Sequence, residues 1–302
     1  MQADNVKLAV GSIMLSVLVL SLGDAVIKLV SVNFTLWQIY ILRSAIALPV
    51  IVVMIHLFKA SHHRQSLLPA APGWTALRSL LLALMWIAYY ASLPHVELSV
   101  AAAVYYTIPL FITLMSALFT GDKVRARAWF AIVLGFTGVM IIVRPQSGEF
   151  NGFVLLPLVA AFLYALSMIL TRTRCRNENP WVLSLSLNAM FIVVGIVATL
   201  LIQLLPTDGT SDINNNFLFG QWAPVNTKTL LAMATLAAIV IAGSYFAAVA
   251  YQNGPPALVS TFDYSYLAFS ALWGFVFFFE IPDAYTVAGM LIIVVAGIIA
   301  LK

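Results

Sequence analysis

Residues Ala101 to Lys123 read AAAVYYTIPLFITLMSALFTGDK, an apolar stretch with two tyrosines, a proline at its middle, a stripe of small residues and a charged end. About 20 mostly apolar residues cross a hydrocarbon core about 30 Å thick, so this is one membrane span. It recurs roughly 157 residues later, where Ala257 to Asp283 reads ALVSTFDYSYLAFSALWGFVFFFEIPD. At that offset Asp263 stands opposite Tyr106, Tyr266 opposite Pro109 and, one residue out of step, Glu280 opposite Asp122. Upstream, the break Leu93 to Glu97 matches Ala250 to Gly254, and Tyr89 and Tyr90 match Phe246 and Ala247, with Tyr245 one step before. Internal repeats of membrane chains commonly form the two sides of a transport site.

The rest of the chain has the same character. Its 302 residues are 63% hydrophobic and 9% charged, with a mean hydropathy of +1.02; a water-soluble globule carries roughly 25% charge. Ten spans are expected, at roughly 8–32, 35–58, 74–94, 98–119, 127–143, 152–171, 181–205, 229–252, 256–279 and 284–301. The first is too long for a signal peptide and carries Asp24 and Lys28, so it is expected to stay as a helix. One cysteine, Cys175, excludes an intrachain disulfide and a multi-thiolate metal site. No cofactor and no metal site is expected. The net charge of +4 is spread over short loops and carries no nucleic-acid meaning.

Charge sets orientation instead. With a cytoplasmic amino terminus, Lys7, Lys59, Arg64, Arg78, Lys123, Arg125, Arg127, Arg172, Arg174, Arg176 and Lys302 fall inside, against Arg144, Lys228 and Lys28 outside. Five spans per half is odd, so the second half enters from the opposite side. The loops agree: the turn after the fourth span, Asp122 to Arg127, is basic, and its counterpart Glu280 to Asp283 is acidic. Lys59, His62, His63 and Arg64 after the second span face Asp208 and Asp212 after the seventh. The expected fold is an all-α integral membrane protein, ten transmembrane helices in two inverted five-helix repeats, 1–147 and 148–302, with both termini cytoplasmic.

Several polar residues sit deep in these spans. Asp24 and Arg43 lie equally far from the turn at Asn33, about 12 to 14 Å below the outer boundary. Charges at that depth are costly and usually paired, so an intramembrane Asp24–Arg43 pair with Lys28 one turn above is expected; a packing role and a role in substrate or proton handling both fit it. Tyr105 and Tyr106 are about 12 Å deep, too far for the interfacial belt, and each hydroxyl needs a partner. A packed core supplies one, and so does a cavity, which the matching second-half set favours. The candidate substrate-binding residues are Trp86, Tyr89, Tyr90, Tyr105 and Tyr106 in the first half and Tyr245, Asp263 and Tyr264, with Tyr266 beside them, in the second. The fifth and tenth spans, with Gly135, Gly138, Gly289 and Gly297, read as packing helices. Pro206 to Asn226 reads as a polar, mobile external loop.

On Tyr106 to Pro109, Gly121 to Asp122, Glu280, Gly289 and Gly297, the chain resembles the drug/metabolite transporter superfamily, specifically its EamA-type members, along its whole length. Within them it is most similar to YddG-type amino acid exporters. The chain departs from the family pattern where Asp122 replaces a Glu, Phe279 a Gly and Tyr266 a proline of the ninth span. The resemblance implies a multi-pass protein of the bacterial inner membrane with a central cavity between spans 3, 4, 8 and 9, spans 1, 2, 6 and 7 rocking around it and 5 and 10 peripheral.

The expected function is secondary transport: export of small amphipathic metabolites, amino acids including aromatic ones, by alternating access. The substrate is an amino acid-like small molecule, the surrounding partner is membrane lipid, and the expected state is monomeric. No Walker-type phosphate loop occurs. Tyrosines and a tryptophan can hold an α-ammonium by cation–π attraction, with Asp263 offsetting its charge. A sugar-phosphate or nucleotide-sugar exchanger would need more cations than Lys28 and Arg43. An intramembrane enzyme would need a catalytic grouping, and His56 and His95 form none.

Overall fold

The computed structural model describes residues 5–57, 67–108, 110–112, 114–115, 126–143, 151–204 and 217–301. Pro109, Thr113, Ser116, Gly121 to Arg125, Arg144 and the loop residues Lys59, His62, His63, Arg64, Asp208 and Asp212 lie outside them. The described residues are α-helical apart from short connections and one 3₁₀ turn at Gly152–Leu155. The helices are α1 (Val6–Val30), α2 (Leu36–Leu57), α3 (Pro72–Ser92), α4 (Leu98–Tyr105), α5 (Ala126–Val143) and α6 (Leu156–Thr173). Then follow α7 (Pro180–Leu204), α8 (Thr227–Asn253), α9 (Pro256–Asp263), α10 (Ser265–Phe278) and α11 (Ala284–Leu301). Six stretches among the described residues, α1, α2, α3, Gly152–Thr173, α7 and α8, are helical, long and apolar enough to cross a membrane.

Local chemistry explains where these helices start. Asn5 and Asn226 cap α1 and α8 by accepting from the backbone N–H groups of Leu8 and Thr229, at 3.1 and 2.9 Å. Pro72 and Pro157 occupy first-turn positions that need no N–H donor.

The fourth and ninth expected spans are each broken, with a hydroxyl residue at each break. α4 ends at Tyr105 and turns through Tyr106 and Thr107 before helix resumes at Ile108; the ninth turns at Tyr264, between α9 and α10. Thr107 Oγ1 donates to the Val104 carbonyl at 3.0 Å, and Ser265 Oγ donates to the Phe262 carbonyl at 2.7 Å. Ser21, Ser167, Ser244 and Ser270 make the same bond inside continuous helices, so it accompanies the breaks without accounting for them. The proline at sequence position 109 adds a missing N–H in the first half; the second half breaks without one.

The helices pack in pairs: α1 on α8, α3 on α6, α2 on α7 and α5 on α11, with α10 against α1 and α4. The α5–α11 pair meets backbone to backbone. A Cβ on Gly138 would stand 2.9 Å from the Gly289 carbonyl oxygen, and one on Gly289 would stand 2.8 Å from that of Gly138. Small residues permit this close approach, in keeping with the packing role expected of these spans.

The described segment that leads into α8 is held in place. From Phe217, buried at 2% exposure, it is tied to α2: Gln38 bonds both the N–H and the carbonyl of Ala223, at 2.9 and 2.7 Å, and Trp37 Nε1 donates to Leu218 at 2.7 Å. Residues 205–216 lie outside the described ones.

Candidate functional site

The two helix breaks bring their tyrosines together. The rings of Tyr106 and Tyr266 stack at 4.8 Å and 28°, and Tyr106 lies 6.3 Å from Tyr264. Tyr105 packs against Tyr89 at 4.9 Å, Tyr106 at 5.4 Å and Tyr164 of α6 at 6.0 Å. Trp86 and Tyr90 pair at 4.8 Å and 32° on α3. Residues of the first-half and second-half candidate sets therefore touch and form one buried cluster, in which Tyr89, Tyr106 and Tyr266 are 1 to 3% exposed.

A carboxyl group stands at each end of the cluster. Asp24 Oδ2 on α1 accepts from the Tyr266 hydroxyl, which lies 3.2 Å from the hydroxyl of Tyr89. With the Tyr266 proton committed to Asp24, Tyr89 is the donor to Tyr266. Asp263 Oδ2 accepts from Tyr251 of α8 at 2.6 Å, and the Tyr251 ring lies 6.2 Å from Tyr164. Both aspartates are 1% exposed, and Tyr105 lies within electrostatic reach of both. Tyr264 is fixed by its own bond to the Ile293 carbonyl of α11, at 3.2 Å.

Two expectations need correction. Tyr245 is not placed in this cluster; its ring lies 4.1 Å from Trp181 of α7 and is half-buried. One and a half turns further on, Tyr251 reaches Asp263 instead. Aligning the helix ends, Ser92 with Asn253, rather than the breaks, sets Tyr251 opposite Tyr90 and would have found it. Tyr164 of the sixth span joins the cluster through Tyr105 and Tyr251, contacts that only the packing of α6 reveals.

The second correction is the Asp24–Arg43 pair. Asp24 and Arg43 form no ion pair within 4 Å, and Lys28 pairs instead with Glu280, at 2.5 Å. Arg43 lies with its guanidinium 4.6 Å from the Phe191 ring centre and 5.2 Å from that of Tyr40, a cation–π arrangement. Arg78, counted by sequence as a boundary charge, is a further buried cation at 2% exposure, its Nε donating to Thr171 at 2.6 Å.

Polar clasps close both ends of the cluster. At one end Glu280 takes Lys28 on Oε1 and the Leu98 N–H on Oε2 at 3.0 Å, while Lys28 also donates to the Val96 carbonyl at 3.1 Å. Phe279, in the left-handed region at φ 57°, turns the chain so that Glu280 points back. Beside this clasp, burial pushes the Glu97 carboxyl up, and the charges of Glu280 and Asp283 add to that against Lys28. His95, stacked on Phe153 at 3.7 Å, is pushed down by burial. At the other end Gln252 donates to the carbonyls of Cys175 and Glu178 at 3.0 and 2.7 Å, and Glu178 accepts the N–H groups of Ala70 and Ala71 at the start of α3.

Known proteins are similar to this chain in sequence, and one solved structure is similar in fold. Residues 7–144 match the EamA-like transporter family. A riboflavin transporter of Rhizobium johnstonii is 31% identical over 231 residues, covering 76% of this chain and 70% of that one. A pseudopaline exporter of Pseudomonas aeruginosa is 23% identical over 299 residues, covering 99% and 97%. An S-adenosylmethionine uptake transporter of Rickettsia bellii is 22% identical over 297 residues, covering 96% and 92%. A solved crystal structure superimposes with a TM-score of 0.63 at 19% identity, covering 96% of this chain and 98% of that one. An all-helical chain with a buried polar and aromatic centre, similar over most of its length to transporters of small molecules, belongs to the EamA-like transporter family and is a multi-pass bacterial membrane transporter.

Proposed function

We propose that the chain exports small amphipathic metabolites, amino acids with aromatic side chains among them, as a secondary transporter working by alternating access. The halves 1–147 and 148–302 are inserted in opposite senses, with both termini cytoplasmic. The observation that carries this reading is the cluster itself: tyrosines from both helix breaks meet between two buried carboxyl groups, Asp24 and Asp263, with a clasp at either end. Exchanging each span for its counterpart in the other half turns the α1–α8 pair into α6–α3 and leaves α2–α7 and α5–α11 unchanged, which supports two equivalent halves. Aromatic walls hold flat apolar groups with little directional demand, and a carboxylate among tyrosines suits an ammonium. Broad specificity follows from that.

A second substrate reading is a flat heteroaromatic metabolite. The stacked pair Tyr106–Tyr266 favours it, and relatives are named for riboflavin and S-adenosylmethionine. Release of labelled phenylalanine, riboflavin and S-adenosylmethionine from loaded proteoliposomes separates the two. Folded Tyr106→Ala and Trp86→Ala variants are expected to lose release of the true substrate by at least tenfold. Equal losses from exposed positions on α5 and α11 would place the site elsewhere.

A further inference from the structure

The tyrosine cluster leaves one group of buried polar atoms without a role, and it centres on Arg43. This side chain, 2% exposed in the middle of α2, makes no hydrogen bond: Nε and Nη2 are both buried and unpartnered. Of the ten other side-chain atoms in this condition among the described residues, four are grouped with it: Asp24 Oδ1, near which the Tyr90 hydroxyl also lies, the Tyr40 hydroxyl, Ser44 Oγ and Asn188 Oδ1. They belong together. Tyr40, Arg43 and Ser44 fall on one face of α2 at i, i+3 and i+4; Asn188 lies three residues before Phe191 on α7, whose ring covers the guanidinium; and Asp24 lies within electrostatic reach of Arg43.

The geometry of the orphaned nitrogens is specific. Guanidinium N–H groups lie in the plane of the group, so the aromatic rings of Tyr40 and Phe191 can attract its charge without occupying its donors. Nε and Nη2 are the pair whose N–H bonds run parallel on one edge, the edge that grips a carboxylate side-on through two bonds. Leaving a charged donor bare in a buried site is costly. Hydroxyls at Tyr40 and Ser44 can add donors to an anion, whereas Asp24 Oδ1 can only accept while ionised.

We propose that Arg43 is the centre of an anion-binding subsite between α1, α2 and α7. Its Nε and Nη2 hold one monovalent anion, with the Tyr40 and Ser44 hydroxyls beside them and Asp24 Oδ1 turned toward a neighbouring cation. The anion is either the carboxylate of a zwitterionic substrate or a chloride ion. The first case rests on the substrate reading proposed above and makes Arg43 and Asp24 a reader of paired opposite charges; the second does not depend on it.

Thermal unfolding of the purified protein tests this with four probes: phenylalanine, phenylacetate, phenethylamine and sodium chloride, each against sodium methanesulfonate at equal ionic strength. If the anion is a substrate carboxylate, phenylalanine and phenylacetate raise the wild-type Tm, and Arg43→Gln loses both shifts while keeping that of phenethylamine. If it is chloride, sodium chloride raises Tm and Arg43→Gln abolishes that shift alone. Arg43→Lys keeps the charge but not the fork, and weakens the anion by roughly tenfold to a hundredfold. Should Arg43→Gln not fold, Tyr40→Phe combined with Ser44→Ala retains the guanidinium and weakens the same anion severalfold. A wild-type protein that responds to no anion, or an Arg43→Gln variant with an undiminished response, overturns the proposal and leaves buried water as the partner of these atoms. A wild type that binds phenylacetate or chloride but releases no phenylalanine from proteoliposomes sinks the amino acid reading while sustaining the subsite.

Discussion

Lys28 and Glu280, 252 residues apart, meet at 2.5 Å and tie α1 to the turn after α10, and the same carboxylate accepts the Leu98 N–H that opens α4. Three elements are thus closed by one side chain. The two jobs of Glu280 can be separated. Glu280→Gln keeps an acceptor for Leu98 and loses the charge, so it is expected to cost about 1 kcal/mol, whereas Glu280→Ala also removes the helix cap and costs about 2 kcal/mol. Thermal unfolding ranks them. Equal losses would mean that the cap contributes nothing.

Glu97 crowds this clasp and gives it a pH dependence. Its carboxyl is held above the ordinary value of 4.5 by burial and by Glu280 and Asp283. Stability from a raised carboxyl is complete below the ordinary value and is lost as pH rises through the folded one. Glu97→Gln is therefore expected to melt above wild type at pH 7 and level with it at about pH 4. A difference that grows in acid would reverse the sign and refute the assignment.

Phe279 holds a left-handed backbone at φ 57°, the region glycine enters most readily. Its side chain is 82% exposed, so little packing is lost on its removal. Phe279→Gly is expected to relieve about 1 kcal/mol of backbone strain, seen as a rise of about 2 °C in Tm. A fall in Tm would show that the exposed ring contributes more than the backbone loses.

Tyr266 connects Asp24 to Tyr89 through one hydroxyl. Tyr266→Phe leaves a buried carboxylate oxygen without its donor, a loss of roughly 1–3 kcal/mol, and is expected to reduce transport at least tenfold. Tyr245→Phe, stacked on Trp181 outside the cluster, is expected to transport like wild type. The same initial-rate assay on both variants decides; the reverse order would return Tyr245 to the site.

At the α5–α11 crossing the neighbours of each glycine include a backbone carbonyl, which cannot swing aside as a side chain can. Gly289→Val is expected to destabilise the protein by about 2 kcal/mol or more, with transport by the surviving folded fraction unchanged. Tm and rate per folded molecule check the two parts separately.

Hydropathy and helical length, both properties of neighbouring residues, were enough to place the spans: eight of them, from Val6 to Leu301, begin and end within a few residues of the expected limits, and the packing role of the glycine-bearing fifth and tenth was legible too. The break in the ninth was not, because the serine beside it, Ser265, makes a bond that Ser21 and Ser270 also make within continuous helices. Pairing lay further out of reach. An offset of 157 set Asp263 against Tyr106, whereas the matched breaks at Thr107 and Ser265 lie 158 apart and set Tyr264 there. One residue turns a helix by about 100°, so that slip changes which side chain enters the centre. The amino-acid sequence thus determined that deep tyrosines and charges exist and at what depth. Only the packing of helices decided that Lys28 would take Glu280, that Tyr251 and not Tyr245 would reach Asp263, and that Arg43 would stand beside Asp24 without touching it, because those distances depend on how rods from distant parts of the chain are rotated and crossed.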